Sequence, residues 1–273
     1  MDASAANALL AKVWAQRSDR EIRPIHGLHH HDPRDRLVVL GEEPRRIVPE
    51  IQRAHLRAEA AQLLGVREEP GRPLDEARYD ESRWIAEPFH LFDCCMENDG
   101  AAALVLVDAE RARDFANKPV YLLGAASGAG YRFAVHPHNS PEYASANFGT
   151  VARDLYDMAR VTPADVGVVQ SYENFTGGVV MALAEHGFFK PEEANDFLTL
   201  ENLTAPKGRL PLNTSGGNLA ECYMHGFELV LEAVRQVRGT STSQAPRHDV
   251  ALVVGGPMVA PASNLMFGSE AVL

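Results

Sequence analysis

Apolar runs alternate with segments of helical periodicity from about residue 100 to the end of the chain. The runs are continuous, which is typical of strands that are covered on both faces. Between them, apolar residues recur at the spacing of one helix face. We predict strands at 100–107, 120–128, 166–170 and 249–256, helices at 150–160, 177–187 and 218–238, and further helix starts at Asp108 and Thr162. Strands that alternate with helices indicate an α/β fold built in layers.

Residues 1–80 differ from the rest of the chain, because they are rich in arginine, glutamate and proline. We predict a strand at Leu37–Leu40, a helix at 50–64, and loops at 68–82 and 136–149. The histidine cluster at 26–31 fits either a zinc site or a solvated loop. No second pair of ligands stands at a standard zinc spacing, so the loop is favoured and no metal is predicted.

The chain has 273 residues and a formal net charge of −11. Such an acidic chain is a poor candidate for non-specific nucleic-acid binding, because phosphate neutralisation requires lysine and arginine. Three cysteines, with Cys94 and Cys95 adjacent, argue against a disulfide framework and favour a reducing compartment. The N-terminal residues lack the pattern of a secretory signal, and no apolar segment is long enough to span a membrane. We therefore expect a cytoplasmic protein.

Two segments, Ser171–Gly178 and Asn213–Gly226, place a pair of glycines where a predicted strand gives way to a helix. Paired glycines at such a turn let a ligand approach the backbone closely. The first segment carries Tyr172, and the second carries Tyr223 and His225, whose phenol and imidazole groups can transfer protons. Two tyrosines at equivalent turns predict one shared site, although each also fits a buried aromatic with a bonded hydroxyl.

Four motifs after residue 80 resemble, in sequence and in order, those of the thiolase superfamily. They are SRWIAEPFHLFDCCMENDGAAALVLV, VTPADVGVVQSYENFTG, LPLNTSGGNLAECYMHG and DVALVVGGPMVAPASNLMFG. The first is similar to the lipid-transfer-protein branch, which is related to sterol-carrier-protein thiolases. The resemblance implies a thiolase-like α-β-α fold with a complete carboxy-terminal half and a partial amino-terminal half. It divides the chain into an atypical segment at 1–80, the end of the amino-terminal half at 81–117 and the carboxy-terminal domain at 118–273.

The chain departs from the thiolase pattern at the positions that carry thiolase chemistry. Tyr172-Glu-Asn-Phe replaces Asn-Glu-Ala-Phe, and Tyr223 stands where the catalytic histidine is expected. The last loop, Val254–Pro257, has no cysteine, and Cys94 and Cys95 do not match the nucleophile of the family. A Claisen-type reaction requires a thiolate, a base and an oxyanion hole. The tyrosine pattern is instead similar to that of steroid side-chain-cleaving aldolases in the lipid-transfer branch.

This similarity implies retro-aldol cleavage of a bulky, steroid-like β-hydroxyacyl-CoA, with the coenzyme A thioester as substrate and no cofactor. Tyr172 and Tyr223 are the expected acid and base, in either order. His225 is expected to lower the pKa of a tyrosine, although side chains at i and i+2 diverge on a regular helix. The backbone N–H groups of Gly216 and Gly217 are expected to stabilise the thioester oxygen.

Glu173 and Asn174 have two interpretations, as groups that bind polar atoms of the substrate and as caps of the following helix. The cap is the favoured use of Asn174.

The resemblance also implies a homodimer and a small acyl-CoA-binding partner that has an OB-fold and a zinc ribbon. Two alternatives stay open for the function. One is a thiolase-like acyltransferase that receives its missing half from another chain. The other is a non-catalytic acyl-CoA- or lipid-binding relic.

Overall fold

The structure is a computed structural model that describes residues 37–40, 76–86, 89–95, 98–129, 148–256 and 261–273. For residues 37–40 the description concerns the backbone. The predicted helix at 50–64, the histidine cluster at 26–31 and nearly all of the loop predicted at 136–149 lie outside the described residues.

A six-stranded sheet forms the centre of the described fold, and a two-stranded hairpin accompanies it. The strands are β1 (Leu37–Leu40), β2 (Trp84–Ala86), β3 (Phe89–His90), β4 (Val105–Asp108), β5 (Val120–Gly128), β6 (Val168–Ser171), β7 (Val250–Val254) and β8 (Ala262–Gly268). The order in the large sheet is β4-β1-β5-β8-β7-β6, and β2 pairs with β3. Strands β6 and β7 run parallel, while the other pairs are antiparallel.

The helices of the described residues connect these strands. They are α1 (Glu76–Asp80), α2 (Gly149–Ala159), α3 (Thr176–Glu185), α4 (Ala194–Phe197), α5 (Leu200–Leu203), α6 (Gly217–Ala220) and α7 (Phe227–Arg238), with 3-10 turns at Leu91–Asp93, Ala109–Asp114, Pro191–Glu193 and Glu270–Val272. The predicted helices at 150–160 and 177–187 are confirmed as α2 and α3. The start predicted at Asp108 is confirmed as a 3-10 turn, in which the Asp108 side chain accepts from the Glu110 N–H.

Helices cover both faces of the sheet, as β7 shows. Val250, Leu252 and Val254 belong to a core that also contains residues of α2 and α3. Ala251 and Val253 point to the opposite face and share a second core with α7. The predicted α-β-α layering is therefore confirmed, and so are the strands predicted at 37–40, 120–128, 166–170 and 249–256.

The strand predicted at 100–107 exists in part as β4, but the prediction that it is buried is wrong. Val105 and Leu106 are 42% and 54% exposed. β4 is the outermost strand of the sheet, and it pairs only with β1 among the described strands. An apolar run is consistent with burial, but it does not determine whether another layer covers the strand.

Two local predictions are also wrong. Thr162 begins a turn and no helix: the Asp165 N–H donates to the Thr162 carbonyl at 3.0 Å, and the chain then enters β6. The loop predicted at 68–82 contains α1, whose Tyr79 hydroxyl donates to the buried Asp93 at 2.6 Å.

Among the helices that the structure describes, none combines the length and the apolar character that a membrane span requires.

Candidate active site

The hydroxyl groups of Tyr172 and Tyr223 lie 2.5 Å apart and share a hydrogen bond in which either oxygen can be the donor. Their ring centroids are 6.0 Å apart. Tyr172 is buried and Tyr223 is half-buried, so the contact lies where the core meets the surface. Two phenols in hydrogen-bond contact can pass a proton from one to the other.

Tyr172 is fixed by the sheet itself. It follows the last residue of β6, and its N–H donates to the Val254 carbonyl at 3.0 Å, which continues the pairing with β7. Its ring packs directly against Gly226, where a Cβ would lie 2.8 Å from Tyr172 Cδ2. The position of Tyr172 thus depends on regular backbone bonds and on one close glycine contact.

A short backbone pairing brings the second glycine turn beside β6. The Val169 N–H donates to the Pro211 carbonyl, and the Asn213 N–H donates to the Val169 carbonyl, each at 3.0 Å. The Asn213 side chain continues this pairing with Ser171. Its Oδ1 accepts from the Ser171 N–H at 2.7 Å, and its Nδ2 donates to the Ser171 carbonyl at 2.9 Å. The amide of Asn213 therefore joins the two turns.

The single helix predicted at 218–238 is wrong in its middle, because residues 221–226 separate α6 from α7. His225 and Gly226 have φ angles of 55° and 84° there, in the left-handed region that interrupts a helix. Since the segment is not helical, the ring centroids of Tyr223 and His225 lie only 5.1 Å apart. The structure thus brings together Tyr172, Tyr223 and His225, the three residues that the sequence predicts for proton transfer.

Glu173 points into the protein beneath the second glycine turn and is 3% exposed. Its Oε1 accepts from the Leu219 N–H at 3.4 Å, as a cap of α6 would. A Cβ on Gly217 would overlap the same oxygen, and the φ of Gly217 is 57°, so this position favours glycine. Burial raises the pKa of the Glu173 carboxyl well above its usual value. Glu173 therefore supports the second glycine turn from inside the protein.

The remaining candidates lie around the turns with bonds of their own. The Gly216 N–H donates to the Asn213 carbonyl at 2.8 Å, and the Gly217 N–H faces Ser215 Oγ at 3.5 Å. Each of these N–H groups therefore already has an acceptor nearby. Their stabilisation of the thioester oxygen stays a prediction. Asn174 Oδ1 accepts from the N–H of the next residue at 3.1 Å, just before α3 begins.

The surroundings of Tyr172 favour its protonated form. Burial is the largest cause that raises the pKa of Tyr172, followed by the Tyr223 hydrogen bond and the proximity of Cys95 and Glu228. Glu228 lies in the first turn of α7, and burial raises its pKa as well. Its Oε2 accepts from the Met224 N–H at 3.1 Å, inside the segment that carries Tyr223. These surroundings therefore keep the proton on the Tyr172 hydroxyl.

Asn98 is a residue of the site that sequence analysis missed. Its Oδ1 accepts from the Tyr223 N–H at 2.7 Å, and its Nδ2 donates to Cys222 Sγ at 2.9 Å. The Cys95 N–H, from the same stretch of chain, donates to the Asn174 carbonyl at 3.1 Å. The first motif thus contacts both tyrosine segments, and the Asn-Asp-Gly turn within it was the available signal.

Within the described ranges, no three histidine, cysteine, aspartate or glutamate side chains group in a way that could hold a metal ion.

Comparison with known proteins supports the sequence resemblance. The family model described as thiolase C-terminal domain-like matches residues 134–268. The chain is 42% identical over 201 residues to a steroid side-chain-cleaving aldolase of Thermomonospora curvata. It is 40% identical over 200 residues to a 17-hydroxy-3-oxo-4-pregnene-20-carboxyl-CoA lyase of Mycobacterium tuberculosis. These alignments cover 73% and 72% of this chain, and 51% of each relative.

A solved structure, the Ltp2-ChsH2(DUF35) aldolase, matches with a TM-score of 0.68 and 38% sequence identity, covering 81% of this chain and 58% of that chain. The chain spans about half the length of the curated relatives it matches. The order of strands and helices, the two tyrosine turns and these matches lead to one assignment. The chain belongs to the thiolase superfamily, through a domain of the thiolase C-terminal domain-like family.

Proposed function

We propose that this chain forms part of an aldolase that cleaves a bulky, steroid-like β-hydroxyacyl-CoA by a retro-aldol reaction. The observation that carries the proposal is the 2.5 Å contact between the hydroxyls of Tyr172 and Tyr223. A retro-aldol step needs one group to accept a proton and another to donate one, and the tyrosine pair supplies both. The names of two relatives at about 40% identity, a side-chain-cleaving aldolase and a carboxyl-CoA lyase, support the same reaction class.

In the proposed reaction the β-hydroxyl loses its proton as the bond between the α and β carbons breaks. The electron pair of that bond passes to the acyl-CoA as an enolate, and the β carbon becomes a carbonyl. The α carbon of the enolate then takes a proton, so that the products are a ketone and a shorter acyl-CoA. Hydrogen-bond donors near the thioester oxygen would stabilise the enolate charge.

The tyrosine pair offers a relay that requires no free tyrosinate. Tyr223 accepts the proton of the β-hydroxyl while its own proton passes to Tyr172, and Tyr172 gives its proton to the enolate. This order follows from burial, because the surroundings raise the pKa of Tyr172 and keep it protonated. Tyr223 is the more exposed of the two and lies beside exposed His225.

The relay uses neither a cysteine nucleophile nor a cofactor beyond the coenzyme A thioester that is the substrate. An acyltransferase remains less favoured, because a phenol occupies the position of the thiolase histidine. We further propose that residues 81–117 form the end of a thiolase-like amino-terminal half and that residues 118–273 form the carboxy-terminal domain. We also propose that the chain is located in the cytoplasm.

We also propose a homodimer and a small acyl-CoA-binding partner with an OB-fold and a zinc ribbon. Support comes from the Ltp2-ChsH2(DUF35) aldolase, whose name joins two components. Co-purification from the native host, followed by mass spectrometry, tests the partner. Recovery of the chain with no other protein would contradict this part of the proposal.

The reaction is tested with 17-hydroxy-3-oxo-4-pregnene-20-carboxyl-CoA, incubated with the chain and any co-purified protein. We expect a steroid ketone and a shortened acyl-CoA, identified by mass spectrometry, without added free coenzyme A. The same thioester without its 17-hydroxyl is the control and is expected to stay intact. Cleavage that depends on free coenzyme A would indicate thiolysis instead, and no cleavage by the co-purified material would contradict the aldolase assignment.

A further inference from the structure

The segment at residues 98–100 lies directly against the segment that carries Tyr223. The Asn98 side chain bonds both the Tyr223 N–H and the Cys222 sulfur, as described above. A Cβ on Gly100 would lie 2.7 Å from Cys222 Sγ and 2.8 Å from Met224 Cγ. Two residues of this segment, Asn98 and Gly100, therefore lie close to the three consecutive residues 222–224.

The Tyr223 segment depends on such outside contacts because it has little regular structure of its own. It lies between the end of α6 and the start of α7. The Tyr223 N–H has a side chain as its acceptor, and so does the Met224 N–H, which donates to Glu228. Tyr172, in contrast, is held by the backbone ladder of β6 and β7.

We propose that Asn98 is a positioning residue for Tyr223, whose amide fixes the backbone so that the Tyr223 hydroxyl stays in contact with Tyr172. Its effect on catalysis rests on the proposed function, whereas its effect on the Tyr223 segment does not. Displacement of a reacting group by about 1 Å can lower a rate about 100-fold. Asn98 thus links the first motif of the chain to the tyrosine pair.

The test compares Asn98→Ala with Asn98→Asp, which keeps the Oδ1 acceptor for the Tyr223 N–H. The neighbouring Asp99→Ala, at an exposed position, is the matched control. Hydrogen exchange of the peptide at 221–226 reports whether Asn98 holds this segment, independently of activity. Turnover of 17-hydroxy-3-oxo-4-pregnene-20-carboxyl-CoA, measured as separate kcat and KM values, reports positioning.

For Asn98→Ala we expect faster exchange at 221–226, a fall in kcat of about 100-fold and a nearly unchanged KM. Asn98→Asp is expected to recover most of kcat, and Asp99→Ala to match the wild type. Unchanged exchange at 221–226 would overturn the proposal, and so would faster exchange with unchanged kcat. If the wild-type chain cleaves no thioester, the proposed function fails separately, and the exchange experiment still decides whether Asn98 holds Tyr223.

Discussion

The two tyrosines of the site are held in different ways. Tyr172 continues a strand whose neighbours are buried, and its backbone N–H belongs to the sheet ladder. Tyr223 lies in an irregular segment, and its N–H bonds to the side chain of Asn98. One phenol is thus fixed by regular backbone structure, and the other by contacts between side chains and backbone.

This difference has consequences for how the site responds to change. Ladder bonds persist when individual side chains are replaced, whereas a segment held by side chains moves when one of them is lost. We therefore expect that substitutions near Tyr223 alter activity with little loss of stability. Substitutions where the two regions meet are expected to lower the stability of the whole domain.

The largest effect is expected from removal of either hydroxyl. Tyr172→Phe and Tyr223→Phe should each lower kcat for the β-hydroxyacyl-CoA about 1000-fold, because each removes one proton-transfer group. Tyr156→Phe is the control, since it removes a hydroxyl that donates to the His186 carbonyl at 3.0 Å, away from the tyrosine pair. Steady-state kinetics with the fold checked by circular dichroism measures the effect. Turnover retained in both tyrosine variants would contradict their role.

A methyl group at Gly217 tests the close approach between the two turns. Gly217→Ala should lower the free energy of unfolding by about 3–4 kcal/mol, from overlap with the Glu173 carboxyl and from positive φ. Gly239→Ala is the matched control, because its φ is also positive but its Cβ would have no atom closer than 3.9 Å. That control should lose only about 1 kcal/mol in urea denaturation. Equal losses in the two variants would show that backbone strain, and not the Glu173 contact, makes Gly217 necessary.

The pH dependence of stability tests the region around Tyr223. Burial raises the pKa of Glu221 to about 7, against the opposing influence of Ser215 and Arg235. The unfolded chain releases this proton at lower pH than the folded chain does, so stability falls as pH rises from the usual glutamate pKa toward 7. Between about pH 5 and pH 8 this carboxyl should account for a loss of about 2–3 kcal/mol.

Glu221→Gln should flatten that pH dependence, with Glu173 and Glu228 leaving a residual slope of the same sign. Urea denaturation at several pH values measures it. An unchanged slope in the variant would mean that Glu221 titrates alike in the folded and unfolded chain.

The smallest expected effect concerns the amide that joins the two turns. Asn213→Ala leaves the Ser171 N–H and carbonyl without their side-chain partners in the core and should cost about 2 kcal/mol. Asn213→Asp keeps the acceptor for the Ser171 N–H but turns an oxygen toward the Ser171 carbonyl in the core, so it should cost at least as much as Asn213→Ala. Urea denaturation of the two variants makes the comparison, and a smaller loss for Asp would contradict the assigned bonds.

The sequence predicts most of the elements on which the site is built. The runs at 120–128, 166–170 and 249–256 are continuous and apolar, and they form strands because both faces of the sheet are covered. The glycine pairs at the two turns, together with the family resemblance, identify both tyrosines. The strands and the glycine pairs are features of neighbouring residues, so the local sequence is enough to predict them.

The irregular segment at 221–226 and the role of Asn98 could not be predicted in the same way. Apolar spacing continues through residues 218–238, whereas the backbone leaves the helix at His225 and Gly226, and the Tyr223 N–H bonds to a residue 125 positions away. The prediction that β4 is buried was wrong for a related reason. Whether another layer packs on a strand depends on elements that are distant from it in sequence. The contact of Asn98 and the position of β4 at the edge of the sheet both involve residues distant in sequence, and no window of neighbouring residues contains them.

The most direct test of the central claim is a double-mutant cycle on the tyrosine pair. In the proposed relay, Tyr172 and Tyr223 act as one proton-transfer unit through their 2.5 Å contact. We therefore expect the double variant, with both residues changed to Phe, to lose about as much kcat as either single variant. Losses that multiply in the double variant would show that the two hydroxyls act independently and would contradict the relay.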